Sequence, residues 1–179
     1  VTPTSAGADF SWTTILEDRF EENVRELTPA LMAYFVRRVD PVEDAADCVS
    51  EALLVLWRQR DRLPEGQSEV RAWSFGVAKG VLANHRRGKV RRGALSEKLR
   101  QGLVHEPQAP YESDGEVHRA LSLLRLKDGE LVMLIVWDGF GVAEAGAILG
   151  LSATASRTRY SRARRQLKDT LERSPESKE

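Results

Sequence analysis

The chain has 179 residues, 41% of them hydrophobic, and its 27 basic side chains balance 27 acidic ones. That supports one packed domain or two small ones; no run reaches the roughly 18 apolar residues of a membrane span, and the start VTPTSAGADFSW lacks signal-peptide character, so the cytoplasm is the expected location. A single cysteine, Cys48, excludes an internal disulfide, and His85, His105 and His118 stand in no zinc spacing, so no metal or cofactor is expected.

Apolar positions recur every three to four residues almost throughout, which predicts an all-α fold. Phe20, Val24, Leu27, Leu31, Tyr34, Phe35 and Val39 mark a first helix from Leu16, and Pro29 is expected to kink or divide it. After Pro41 a second helix is expected to bury Val49, Ala52, Leu53, Leu56 and Trp57, opening with Glu43 and Asp44, where the helix dipole favours acids. Residues 63–69, LPEGQSE, read as a loop. From Val70 a third helix carries Trp73, Val77, Val81 and Asn84 on one line and Phe75, Ala78 and Leu82 on the next, ending in the basic tract HRRGKVRR at 85–92.

Residues 101–116, QGLVHEPQAPYESDGE, contain two prolines, two glycines and no apolar stripe, and so predict a flexible linker between two small helical modules. Short helices follow over 117–126 and 130–137, then the loop DGFG, a helix over 142–149, the turn Gly150-Leu151-Ser152 with Ser152 as N-cap, and a long final helix. Two helices around a short glycine turn, the second one basic, form a helix-turn-helix signature. Along the final helix Ala153, Ser156, Tyr160, Ala163 and Leu167 make the expected buried line. Thr154, Ala155, Arg157, Thr158 and Arg162 are then placed for base edges or phosphates in the major groove, with Ser161 and Arg164 also outside the buried line.

The zero net charge conceals an alternation. Residues 1–56 hold 11 acids against 4 bases, 57–106 hold 5 against 12, 107–151 hold 7 against 3, and 152–179 hold 4 against 8. Basic surface suits phosphates, and acidic surface in the same half suits a protein partner. A stand-alone helix-turn-helix repressor or activator fits the second half alone. Catalysis by Asp44, Asp47 and Glu51 is disfavoured, because no histidine, second acidic helix or glycine-rich phosphate loop accompanies them, and no enzyme activity is expected.

Three stretches in order, DAADCVSEALLVLWR (44–58), AWSFGVAKGVLANHRRGKVRR (72–92) and AEAGAILGLSATASRTRYSRARRQL (143–167), together resemble an extracytoplasmic-function (ECF) sigma factor of bacterial RNA polymerase, in its actinobacterial style. The resemblance implies sigma region 2 over 11–100, a linker over 101–116 and sigma region 4 over 117–172, with tails at 1–10 and 173–179. It implies core RNA polymerase and promoter DNA as partners and raises an anti-sigma factor as a further one. On the motif match, Asp47, Ser50, Glu51, Leu54 and Arg58 would bind core polymerase, while Trp57 and Leu53 are expected in the core and Cys48 is a small apolar filler. Opening of the −10 element needs a pocket for an unstacked base and positive charge along the strand. Loop 63–70 with Arg71, Trp73 and Ser74 is the expected pocket, and Lys79, Asn84, His85, Arg86 and Arg87 would follow the DNA. The family pattern also places asparagine where Gly80 stands, Asp-Arg-Glu at 128–130, a branched residue at Ala145, valine at Ser156 and leucine at Tyr160. A serine on the buried line forfeits apolar burial, so Ser156→Val is expected to stabilise the second module.

Overall fold

The computed structural model describes the backbone over residues 8–100 and 115–173, with side chains over 17–92, 116, 117 and 119–173. Among the described residues there are seven α-helices and no strand, which bears out the all-α expectation. The chain divides into two compact units, Val1–Gly93 and Ala94–Glu179. No helix among the described residues is long and apolar enough to cross a membrane.

In the first unit α1 (Ala8–Val36) starts earlier than its apolar spacing suggests, taking in 8–10 of the expected tail, and runs through Pro29 undivided. Proline there removes one backbone donor and crowds the preceding turn. Leu31, Tyr34 and Phe35 just beyond it are fully buried, and that packing holds the helix together across the missing bond. α2 (Asp44–Arg58) buries Ala45, Cys48, Val49, Ala52 and Leu56. Contrary to expectation, Trp57 lies at the surface, 39% exposed, and Leu53 is only partly buried. The Trp57 ring stands edge-on to Phe20 with centroids 5.2 Å apart, and the Arg60 guanidinium lies 4.3 Å from its centroid. Arg60 sits in a 3₁₀ turn, Arg60–Arg62, that closes α2.

The predicted loop is shorter than LPEGQSE. Gln67, Ser68 and Glu69 already belong to α3 (Gln67–Arg100), leaving 63–66 as the loop proper. α3 buries Val70, Ser74, Phe75, Ala78, Val81 and Leu82, while Trp73 and Val77 are half-buried and Asn84 is exposed. The core centre is aromatic: Tyr34 meets Phe35 and Phe75 edge-on, at 5.2 and 5.4 Å.

The second unit comprises α4 (Gly115–Ser122), α5 (Leu126–Val136), α6 (Val142–Ile148) and α7 (Ala153–Arg173). Of the predicted linker, residues 101–114 lie outside the described residues, and Gly115 and Glu116 form the first turn of α4 instead. Likewise Arg173 ends α7 rather than opening a tail. The α4–α5 break falls at 123–125, so Lys127, Asp128 and Gly129 are helical. Leu131 and Leu134 are fully buried, and Leu124, Val132 and Ala163 form a cluster with Leu121, Tyr160 and Leu167 against it.

The α6–α7 connection shows why this sequence turns where it does. Gly150 has φ of +70°, a left-handed conformation that glycine adopts without a Cβ penalty. Leu151 N–H donates to the Gly146 carbonyl at 2.8 Å and Gly150 N–H to Ala147 at 3.0 Å, the paired bonds of a Schellman C-cap. The Ser152 hydroxyl then accepts from Ala155 N–H at 3.2 Å as the N-cap of α7. Ser152→Ala is expected to cost about 1 kcal/mol, read as a lower urea midpoint with an unchanged slope.

Most of the buried line of α7 is as predicted: Ser156 and Ala163 are buried and Tyr160 and Leu167 half-buried, but Ala153 is exposed. The expectation for Ser156→Val is overturned. Ser156 is 0% exposed, its hydroxyl donates to the Ser152 carbonyl at 2.8 Å, and it sits directly on Gly146 of α6. A Cβ at Gly146 would lie 2.7 Å from the Ser156 Cβ, so the two helices come into close contact at this glycine and this serine. Valine would add methyl groups to a closed site, and overpacking costs more than the extra burial returns.

Candidate nucleic-acid and protein interfaces

On α2 the helical period separates two faces. Asp47, Ser50, Glu51, Leu54 and Arg58, the five residues expected to meet a protein, are all exposed. Leu54 is 55% exposed although it lies mid-helix. An exposed leucine between Glu51 and Arg58 gives this face both apolar area and charge. Cys48 lies on the opposite, buried side, as a filler would. Burial pushes its thiol pKa up, helped by Glu51, Asp44 and Asp47, so it is a poor thiolate.

The structure redistributes the α3 residues. Arg71, Trp73, Lys79 and Arg86 are half-buried, and Asn84 and Arg87 are exposed, with Arg87 donating to the Asn84 side-chain oxygen. Two expected DNA residues point elsewhere. Ser74 is 1% exposed and its hydroxyl donates back to the Val70 carbonyl at 2.8 Å, satisfying a buried polar group inside the helix. His85 Nε2 lies 3.4 Å from the Asp44 carboxylate, which joins the basic end of α3 to the start of α2. Lys89 similarly reaches the Asp40 carboxylate, at 2.8 Å, and the Asp40 carbonyl. The pocket beside the loop is not the expected one: a polar cavity of about 170 Å³ beside residues 63–66 is lined by Arg19, Glu22, Asn23, Glu26, Glu65, Gln67 and Val70, and Arg71, Trp73 and Ser74 do not line it. Arg19 donates to the Pro64 carbonyl at 3.2 Å and Gln67 donates to Glu26, which ties the loop to α1. No local pattern signals it, since its walls come from residues more than forty positions apart.

On α7, Thr154, Arg157, Thr158, Ser161, Arg162 and Arg164 are exposed and Ala155 is half-buried, all of them off the Ser156–Ala163 line. The sequence makes α7 predominantly basic, but the structure does not present every arginine outward. Arg159 Nε donates to the Asp128 carboxylate at 2.7 Å, with the two side chains only 31% and 19% exposed.

Residues 24–92 match the family model for sigma-70 region 2, and residues 114–167 match that for sigma-70 region 4. The ECF RNA polymerase sigma factor SigF of Caulobacter vibrioides is 31% identical over 163 residues, covering 86% of each chain. This chain is an ECF sigma factor. SigL of Mycobacterium tuberculosis, also an ECF RNA polymerase sigma factor, is 25% identical, covering 82% of this chain and 85% of that one. Among solved structures, the sigma factor RpoE of Bartonella quintana, determined with the anti-sigma factor NepR, is 25% identical with a TM-score of 0.63, covering 87% of this chain and 98% of that one. CnrH, determined with the cytosolic domain of CnrY, is 25% identical with a TM-score of 0.62, covering 87% and 89%.

As an ECF sigma factor the chain is a transcription initiation factor that binds core RNA polymerase and directs it to promoter DNA. The stand-alone repressor or activator reading is not favoured, because the first unit carries a sigma region of its own. The α2 face lies within the region 2 match and α7 begins within the region 4 match.

Proposed function

We propose that this sigma factor grips core polymerase through Asp47, Ser50, Glu51, Leu54 and Arg58 of α2, and reads the −35 element through Thr154, Ala155, Arg157, Thr158, Ser161, Arg162 and Arg164 of α7. The −10 element falls to the first unit, with Arg71, Trp73, Lys79, Asn84, Arg86 and Arg87 along the strand. Ser74 and His85 are left out because their side chains are covered by the fold. The observation that carries the proposal is the chemistry of two exposed faces: α2 shows a leucine flanked by carboxylates on one side and an arginine on the other, and α7 shows arginines and threonines.

The cavity beside loop 63–66 supplies the pocket that −10 opening requires. Its carboxylates are acceptors, so the base it takes carries an exocyclic amino group, as adenine, cytosine and guanine do and thymine does not, which donates to Glu22 or Glu65. Nothing in this arrangement calls for a reaction at the protein itself, and the chain acts without catalytic activity of its own. An anti-sigma factor is a further partner of this chain, by analogy with the relatives solved in such complexes.

In vitro transcription tests the whole reading. With core polymerase the full chain is expected to initiate at a defined promoter, while the protein alone binds the same DNA poorly. Two weak modules carried on one chain gain affinity only when a scaffold engages both. Replacing the pocketed −10 base by thymine, which lacks the amino group, is expected to lower initiation about tenfold, within the discrimination of a good base contact. Tight footprints by the free protein, without polymerase-dependent starts, would refute it.

A further inference from the structure

We infer that Arg159, in the middle of the basic helix, is a positioning residue that keys the rotation of α7, and that the Asp128–Arg159 pair sets which side chains reach the −35 bases. The inference rests on α7 being the −35 reader. Three contacts fix α7 about its own axis. Arg159 meets Asp128 in the first turn of α5 at 2.7 Å. Seven residues on, Gln166 donates to the Leu123 carbonyl in the α4–α5 turn at 3.1 Å. Seven residues fall only about 20° short of two full helical turns, so both tethers leave the same edge of α7. The third contact, Ser156 on Gly146, ties α7 to a different helix, α6.

A helix held only by an apolar stripe can roll in its groove, because dispersion contacts are not directional. A charge-assisted hydrogen bond is directional and shorter, and it resists that roll. The exposed residues fan out from the axis, so a small roll changes which of Thr154, Ala155 and Arg157 lies closest to a base edge. Arg159 also differs from its basic neighbours in what it offers DNA. Its Nε–H is already spent on Asp128 and its side chain is mostly covered, whereas Arg157 and Arg162 are exposed. Arg159 therefore contributes to specificity through geometry, and the salt slope of promoter binding distinguishes this from a phosphate contact by its remaining N–H donors.

The test uses the full chain bound to core polymerase, on promoters selected by that holoenzyme from a randomised pool and then varied one −35 position at a time. Asp128→Asn and Arg159→Ala are each expected to flatten the −35 preference about fivefold or more, a factor typical of one misplaced base contact, at the same positions. The double variant is expected to go no further than either single one, since both remove one interaction. The salt dependence of promoter binding should keep its slope in Arg159→Ala. A slope shallower by about one would mark a lost phosphate contact and overturn the inference. A lowered melting temperature with an unchanged preference profile would overturn it too, leaving Arg159 a packing residue only. Should Asp128→Asn unfold the second unit, Arg159→Lys, which keeps the charge but loses the guanidinium geometry, carries the same readouts. Arg157→Ala separates the two levels of the argument. If it weakens −35-dependent initiation while the pair variants change nothing, the keying fails alone; if it has no effect either, the assignment of α7 as the −35 reader fails with it.

Discussion

Gly146→Ala is expected to destabilise the second unit by about 2 kcal/mol, the middle of the range for overpacking a closed site. For a unit of this size that corresponds to a fall of roughly 10 °C in its melting midpoint. The added Cβ would stand 1.8 Å from the Ser156 hydroxyl oxygen and 2.7 Å from the Ser156 Cβ. Turning the hydroxyl relieves only the first of these, and it breaks the bond to the Ser152 carbonyl. The second requires α6 and α7 to separate, and the turn between them is held by its cap hydrogen bonds. Melts of the full chain by far-ultraviolet circular dichroism provide the measurement. Adding Ser156→Ala to Gly146→Ala is expected to recover part of the loss, because the oxygen is removed while the Cβ contact stays. A Gly146→Ala variant with an unchanged midpoint would mean that the two helices are not in this contact in solution.

Leu54→Asp is expected to weaken association with core RNA polymerase about thirtyfold, the effect of losing a central apolar anchor worth about 2 kcal/mol. The side chain is more than half exposed in the free chain, so the same substitution leaves the melting midpoint within a degree or two. Loss of binding without loss of fold distinguishes an interface from a core position. Glu51→Arg on the same face is expected to act in the same direction and to weaken further at low salt, where charge contrast is least screened. Arg157→Ala, in the other unit, is expected to leave core association unchanged. Competition binding to core polymerase measures all three, and an Arg157→Ala loss exceeding that of Glu51→Arg would reverse the assignment of faces.

Helical periodicity was sufficient for much of this protein because it depends only on near neighbours. A buried residue every three or four positions shows which side of α2 or α7 turns inward, and Val49, Ala52 and Leu56, or Ser156 and Ala163, are buried as their spacing requires. The α6–α7 turn was legible for the same reason, since Gly150 and Ser152 act on groups within a few residues of themselves. The family was legible as well, from three stretches in the right order. Tertiary structure decided whatever depended on a distant partner. Pro29 does not divide α1, because Leu31, Tyr34 and Phe35 beyond it are packed. His85, placed by its position in a DNA-binding tract, instead stands 3.4 Å from the Asp44 carboxylate of another helix. The Arg19–Pro64 bond that helps shape the polar cavity spans 45 positions, and the Asp128–Arg159 pair that turns one arginine away from its neighbours spans 31. The room at Ser156 depended on a glycine in the preceding helix. Periodicity assigns a residue to the inside or the outside of its own helix, but which atom fills the space opposite is set only when the helices pack.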